Sequence, residues 1–290
     1  MAAWVYWPPF FSCKCRYFCP SCHAKRLVAW SAWLETDVLA PVAHRQFVFS
    51  LPKRLRPYFL WRRDLLGDLA QVAAATVVAF VRAAIGDDVS VGVVLSIQTH
   101  GSLLNWNPHV HALVTDGGFL PDGTFLSMPL HDTEVLSEAF RRAVLKLFVE
   151  RELFQPNVAA SMLEWMHSGF SVDDSVWLAE GDAVAHDRLA RYCARSAVSL
   201  ERMRYDADRA TVYYASDKAS GPTAGTHAFD AIEFIALLRT ELRVRSHADV
   251  LTPTPSRRTA EAAPGSWWGV PPSGRQCAAR PTRHSCGDPC

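Results

Sequence analysis

Two histidines one residue apart, in Asn107-Pro108-His109-Val110-His111-Ala112-Leu113-Val114, are the side chains of this sequence best placed for chemistry. The stretch is rich in β-branched and apolar residues, so it reads as a strand over His109–Thr115. Side chains at i and i+2 of a strand share a face. His109 and His111 therefore project side by side, while Val110 turns to the opposite face and the core. Two imidazoles at that spacing can bind one metal ion. The spacing alone also fits two ordinary surface histidines, and it names no reaction. A third ligand has to come from another element. Gln98 and His100 end the preceding strand segment, and an antiparallel neighbour would bring either one to the pair.

A second candidate is Tyr192, within Arg188-Leu189-Ala190-Arg191-Tyr192-Cys193-Ala194-Arg195. The segment reads as a helix, on which Arg188, Tyr192 and Arg195 are spaced i, i+4 and i+7 and share a face. A phenol among guanidinium groups and near a metal is a nucleophile suited to phosphorus. Arg188, Arg191 and Arg195 would grip phosphate oxygens bidentately. The plainer reading is a partly buried tyrosine with arginines in solvent.

The third cluster is Cys13-x5-Cys19-Pro20-Ser21-Cys22-His23, with Cys15 between. A CxxC pair in a reducing compartment is a common half of a zinc site. Lys14, Arg16, Lys25 and Arg26 surround it, as in nucleic-acid-binding zinc modules. Cys13, Cys19 and Cys22 supply three ligands, and Cys15, His23 or a residue elsewhere supplies the fourth. Cys193, Cys277, Cys286 and Cys290 show no such grouping.

These groups need a scaffold. Strand patterns cover Gln46–Leu51, Val89–Gln98, His109–Thr115, Val198–Tyr205 and Ala210–Ala215, the last two flanking a polar turn as a hairpin would. Helical patterns cover Asp64–Ile85, Thr133–Leu153, Val158–Met166, Ala185–Ala194 and Phe229–Leu242. In the second, Leu136, Phe140, Val144 and Leu147 line one face, with Thr133 placed to cap the start. Strands and helices mix without regular alternation, which predicts an α+β fold on a five-stranded antiparallel sheet with flanking helices.

The chain has 290 residues, 49% of them hydrophobic, enough for a substantial core. Its net charge is only +1, but residues 1–65 hold ten Lys/Arg against three Asp/Glu, whereas residues 66–185 hold five against fifteen. The basic N-terminal part suits a polyanion. Leu65–Ile85 is the most apolar stretch, yet Asp68, Gln71 and Arg82 interrupt it, so it reads as a packed helix. The N-terminus lacks the pattern of a signal peptide, and a cytoplasmic, bacterial protein without membrane association is expected. From about Thr252 the sequence loses periodic apolar residues and reads as a disordered or unrelated tail.

Together these segments resemble the transposases of rolling-circle insertion sequences, which join a zinc ribbon to a nuclease domain named HUH after its histidine–hydrophobe–histidine motif. The resemblance runs from about Phe11 to Leu238. It rests on Phe11-Ser12-Cys13-Lys14, Phe18-Cys19-Pro20-Ser21-Cys22, Leu51-Pro52-Lys53-Arg54-Leu55-Arg56, Gln98, Asn107-Pro108-His109-Val110-His111, Thr115-Asp116-Gly117-Gly118-Phe119, His167-Ser168-Gly169-Phe170-Ser171-Val172 and the Tyr192 segment. The order and co-occurrence of these pieces carry it.

The resemblance implies an HUH nuclease-like fold preceded by a partial zinc ribbon. It implies that His109, His111 and Gln98 hold Mg²⁺ or Mn²⁺, with Zn²⁺ at the cysteine cluster. Tyr192 would nick single-stranded DNA at the element's ends, leaving a 5′-phosphotyrosine and a free 3′-OH. The expected layout is a zinc-ribbon module over 1–35, a nuclease domain over 36–245 and a tail over 246–290. The sequence departs from the family at three points. Arg188 stands where some members have another tyrosine, no cysteine pair precedes Cys13, and no basic, aromatic C-terminal segment follows Arg243. A truncated ribbon is the expectation, and a non-catalytic DNA-binding remnant is the alternative.

Overall fold

The structure, a computed structural model, describes residues 20–194, 196–242 and 248–251. The fold is α+β, with antiparallel sheets and flanking helices. Its centre is a sheet of four principal strands. In spatial order these are β2 (Val93–His100), β3 (Trp106–Thr115), β1 (His44–Ser50) and β6 (Ser171–Leu178), and the short β10 (Ala248–Leu251) adds to the outer edge of β2. Every neighbouring pair is antiparallel.

This sheet corrects the expected one. Only three of the five strands read from the sequence belong to it. The segments near Val198–Tyr205 and Ala210–Ala215 become β7 (Met203–Asp206) and β8 (Thr211–Ala215), which pair with β9 (Thr226–Asp230) in a separate three-stranded sheet. Helix α7 (Ala231–Leu242) packs on that sheet, burying Phe234 and Leu238 against Val212 and Tyr214. Strand β6 was not expected, because Ser171-Val172-Asp173-Asp174-Ser175-Val176-Trp177-Leu178 lies at a sheet edge and buries only Leu178 fully. A hairpin, β4 (Gly117–Phe119) with β5 (Phe125–Ser127), follows β3. Gly117 there adopts φ 152° with the Leu126 carbonyl oxygen 2.0 Å from where a Cβ would sit, so no side chain fits.

The two faces of the central sheet are unlike. One carries Phe47, Phe49, Val93, Leu95, Ile97, Val110, Ala112 and Val114, all buried. Helices α2 (Arg56–Trp61), α3 (Leu65–Ile85), α4 (Thr133–Glu150) and α5 (Pro156–Leu163) contribute to the same core. The expected stripe on α4 holds: Leu136, Phe140 and Val144 are fully buried, and the Phe140 ring lies 4.9 Å from that of Phe49. Each such side chain contributes about 1.5–3 kcal/mol by burial. The cap of α4 is Asp132 rather than Thr133, since its carboxylate accepts from the Glu134 amide at 2.9 Å. Among the described residues α3 alone is long and apolar enough to cross a membrane. It packs instead along α4 and the sheet, burying Leu65, Leu69, Ala73, Val77 and Val81.

The opposite face carries His44, Gln46, Ser96, Gln98, His109 and His111, and helix α6 (Ala183–Cys193) covers part of it. Leu189 and Ala190 of α6 meet Val94, Leu113 and Leu178 of the sheet and Leu34 from the end of α1 (Pro20–Trp33) and its π-helical extension Leu34–Val38. Ser31 of α1 hydrogen-bonds Asp187 of α6. Cys13, Cys15 and Cys19 lie outside the described residues, as do Arg195 and the whole expected tail beyond 251.

Candidate active site

The reading of His109-Val110-His111 as a strand is met in β3, where Val110 is fully buried in the core and both imidazoles lie on the α6 face. Their ring centroids are 4.9 Å apart. Pro108 is inside β3 rather than before it. A proline inside a strand leaves a gap in the ladder, and here the register between β2 and β3 breaks at that point. Gln98 pairs with His109, but the next pair is His100 with Trp106. One residue on β2, Thr99, thus faces two on β3, Asn107 and Pro108.

This irregularity separates the two candidate residues at the end of β2. Residues directly opposite in an antiparallel pair have Cβ atoms about 5 Å apart. Gln98 stands directly across from His109, and Ser96 directly across from His111, whereas His100 is displaced three positions along β3 to Trp106.

Hydrogen bonds set the imidazoles. His109 Nδ1 donates to the Asn107 carbonyl at 2.7 Å. A carbonyl only accepts, so Nδ1 carries the proton and Nε2 keeps the lone pair a metal needs. His111 Nδ1 lies 2.9 Å from Nε2 of Gln46, a buried residue of β1. An amide end serves either way: turned over, its oxygen accepts from Nδ1–H, the tautomer that exposes Nε2 to a metal. Sequence reasoning missed Gln46. It is separated from His111 by 65 positions, and only strand pairing brings it near.

Tyr192 joins this group. It lies in the last turn of α6, and its ring stands edge-on to that of His111, 5.2 Å between centroids. The residue is 39% exposed, so a substrate can reach it. Gln98 Nε2 donates to the Tyr192 carbonyl at 3.1 Å, and Ser96 Oγ donates to the Cys193 carbonyl at 2.7 Å. The two β2 residues opposite the histidines therefore also grip the end of the tyrosine helix. Burial pushes the Cys193 thiol up to about 12, which keeps it protonated and unreactive at neutral pH.

The other predicted residues divide. Arg188 is exposed one turn before Tyr192. Arg191 is exposed and bonded to Asp187, Nε to Oδ2 at 2.7 Å. Arg195 lies outside the described residues. Cys22 lies on α1, and the neighbouring His23 accepts a hydrogen bond at Nε2 from the Ser196 amide, 3.0 Å.

The residues present fit a divalent cation. Gln98 Oε1 is buried and lacks a hydrogen-bond partner among the described residues, which is costly unless another group binds it. Two imidazoles and an amide oxygen form a mixed nitrogen and oxygen donor set that suits Mn²⁺ better than the oxygen-preferring Mg²⁺. No three His, Cys, Asp or Glu side chains converge on a metal position among the described residues.

Residues 92–244 match the family model described as "Putative transposase", and residues 8–51 match that described as "Transposase zinc-binding domain". The latter stretch includes Cys13, Cys19 and Cys22 and supports zinc there. The chain is similar to "Transposase for insertion sequence element IS801" of Pseudomonas savastanoi pv. phaseolicola, 34% identical over 145 residues, covering 50% of this chain and 33% of that protein. It is also similar to "Putative transposase y4qJ" of Sinorhizobium fredii, 31% identical over 150 residues, covering 47% of this chain and 35% of that protein. The matched part spans about a third of each relative's length. No solved structure matches the chain.

Proposed function

This chain belongs to the family described as "Putative transposase", and from that premise we propose that it nicks single-stranded DNA with Tyr192 as the nucleophile, in rolling-circle transposition of an insertion sequence. The observation that supports this most is the meeting of four side chains from three elements. His109 and His111 share a face of β3, Gln98 stands across from His109, and the Tyr192 ring contacts that of His111.

In this reading His109 Nε2, His111 Nε2 and Gln98 Oε1 hold Mn²⁺ or Mg²⁺. The cation supplies positive charge to the scissile phosphate as a Lewis acid. Tyr192 Oη attacks the phosphorus as its proton leaves, the bond from phosphorus to O3′ breaks, and O3′ departs to become a hydroxyl. The product is a 5′-phosphotyrosine, which stores the energy of the phosphodiester so that rejoining needs no nucleotide cofactor. Arg188, Arg191 and Arg195 would receive phosphate oxygens. Asn107 and Gln46 hold the imidazoles in place. Ahead of this HUH-type domain, at 36–245, Cys13, Cys19 and Cys22 in the 1–35 module would bind zinc and contribute to DNA affinity, to which phosphate contacts give the greater share.

The test is a denaturing gel of the protein incubated with Mn²⁺ and labelled single-stranded DNA from an element end. A protease-sensitive covalent species that is lost in Tyr192→Phe is the expected result. Binding without a covalent species would instead identify a non-catalytic DNA-binding remnant. Cleavage without one would identify a water-activating metallohydrolase.

A further inference from the structure

We propose that Gln98 couples the metal position to the nucleophile, one end of its amide serving the cation and the other fixing the backbone of Tyr192. This rests on the reading of His109 and His111 as metal ligands and of Tyr192 as the nucleophile. The last carbonyls of a helix have no partner within it and must find one elsewhere. At the end of α6 the Ala194 amide reaches the Tyr192 carbonyl, and further partners come from β2. Gln98 Nε2 lies 3.1 Å from the Tyr192 oxygen and 3.5 Å from the Cys193 oxygen, and Ser96 Oγ lies 2.7 Å from the Cys193 oxygen. Carbonyl oxygens cannot donate, so the amide has to present its NH₂ group to them. That settles which way round the buried amide sits. Oε1 is the other end of that amide, and it is the atom that lacks a hydrogen-bond partner among the described residues.

The consequence is mechanical. The amide is planar and rigid, Gln98 is only 4% exposed, and it stands directly across from His109. A cation bound to Oε1 restricts the side-chain torsions of Gln98 and thereby sharpens the NH₂ contact with Tyr192. In the other direction, a docked α6 holds Oε1 ready for the cation. Ser96 is a second tie on the same helix end, its hydroxyl donating to the Cys193 carbonyl. Gln98 is thus a positioning residue for the tyrosine in addition to its part in the metal site.

The experiment compares the full chain with Gln98→Glu and Ser96→Ala. Glutamate keeps an oxygen ligand but replaces the NH₂ donor with an oxygen that faces two carbonyl oxygens. Three quantities are read: Mn²⁺ affinity by calorimetry, the rate of covalent adduct formation, and amide hydrogen exchange across 189–194 with and without Mn²⁺. For Gln98→Glu, Mn²⁺ binding is expected to be retained while adduct formation falls about 100-fold, the scale of a misplaced reacting group. For Ser96→Ala, Mn²⁺ affinity is expected to be unchanged and the rate to fall about tenfold, as for one lost hydrogen bond. Mn²⁺ is expected to slow exchange across 189–194 in the parent chain but not in Gln98→Glu. Adduct formation at the parent rate in metal-loaded Gln98→Glu would overturn the proposal, as would exchange that Mn²⁺ leaves unchanged in the parent. If Gln98→Glu does not fold, the Ser96→Ala rate and the exchange of the parent decide. If the parent forms no adduct, the nucleophile reading fails, and hydrogen exchange still decides whether Gln98 links the cation to α6.

Discussion

The ring of Tyr192 meets that of His111 at 86°, with 5.2 Å between centroids, so the last turn of α6 is seated on the face of β3 that holds both histidines. This contact belongs to the aromatic ring. Tyr192→Phe retains the ring and should unfold within about 0.5 kcal/mol of the parent, as a partly exposed substitution does. Thermal melting checks this. An unchanged melting temperature makes loss of the covalent adduct in that variant a loss of the hydroxyl's chemistry, and a large drop would point to a structural role.

The pairing of Gln46 with His111 leads to a prediction about the metal. Partners that orient a metal-bound imidazole are worth about 10–100-fold in affinity. Gln46→Ala should weaken Mn²⁺ binding by that factor, and His109→Ala should weaken it more, both measured by isothermal titration. Equal affinities for Gln46→Ala and the parent would remove Gln46 from the site.

A third prediction concerns the path of DNA. Strand β1 ends at Ser50, whose partner across the sheet is His109, and the chain continues through buried Leu51 and Pro52 to exposed Lys53 and Arg54. These cations lie just beyond the histidine end of the sheet. Replacing both with alanine should weaken single-strand binding and reduce the dependence of log K on log salt by about 1.4, at ~0.7 per phosphate contact. Fluorescence anisotropy over a salt series measures it. An unaltered slope would mean that the strand approaches from another side.

The fourth prediction is a pH dependence of stability. His44 starts β1, is buried, and meets His186 of α6 edge to face, 5.3 Å between centroids. Burial first, and His186 second, push its imidazole down to about 4, against opposing pulls from the Val42 backbone and Asp116. The folded chain therefore keeps His44 neutral while the unfolded chain protonates it from about 6.5 downward. Stability from this group is complete above that pH, falls between 6.5 and 4, and is level below. The loss is on the order of 3 kcal/mol, at about 1.4 kcal/mol for each pH unit between the two values. Urea unfolding at pH 7, 5.5 and 4.5 should show the parent losing more stability than His44→Gln. Parallel losses would exclude His44 as the cause.

What the sequence determined by itself was local. Two histidines two positions apart in an apolar run share a face of any strand, whatever that strand pairs with. The stripe of Leu136, Phe140 and Val144 makes a helix with one buried side, and Asp64–Ile85 and Ala185–Ala194 were legible by the same periodicity. What only the tertiary structure decided was non-local. Strand propensity depends on a few neighbouring residues, but sheet membership depends on distant ones. Val198–Tyr205 and Ala210–Ala215 thus read correctly as a hairpin and incorrectly as part of the central sheet. Strand β6 escaped notice because at this edge one face is exposed throughout and the other interrupts its apolar residues with Asp174, so only Leu178 is fully buried. Whether Gln98 or His100 stands across from His109 was not legible, because it depends on a one-residue irregularity at Pro108, a property of the pairing of β2 with β3. Gln46 carries no motif of its own. It acquires a role only where β1 and β3 lie side by side, because a hydrogen bond extends about 3 Å through space however long the chain between its partners.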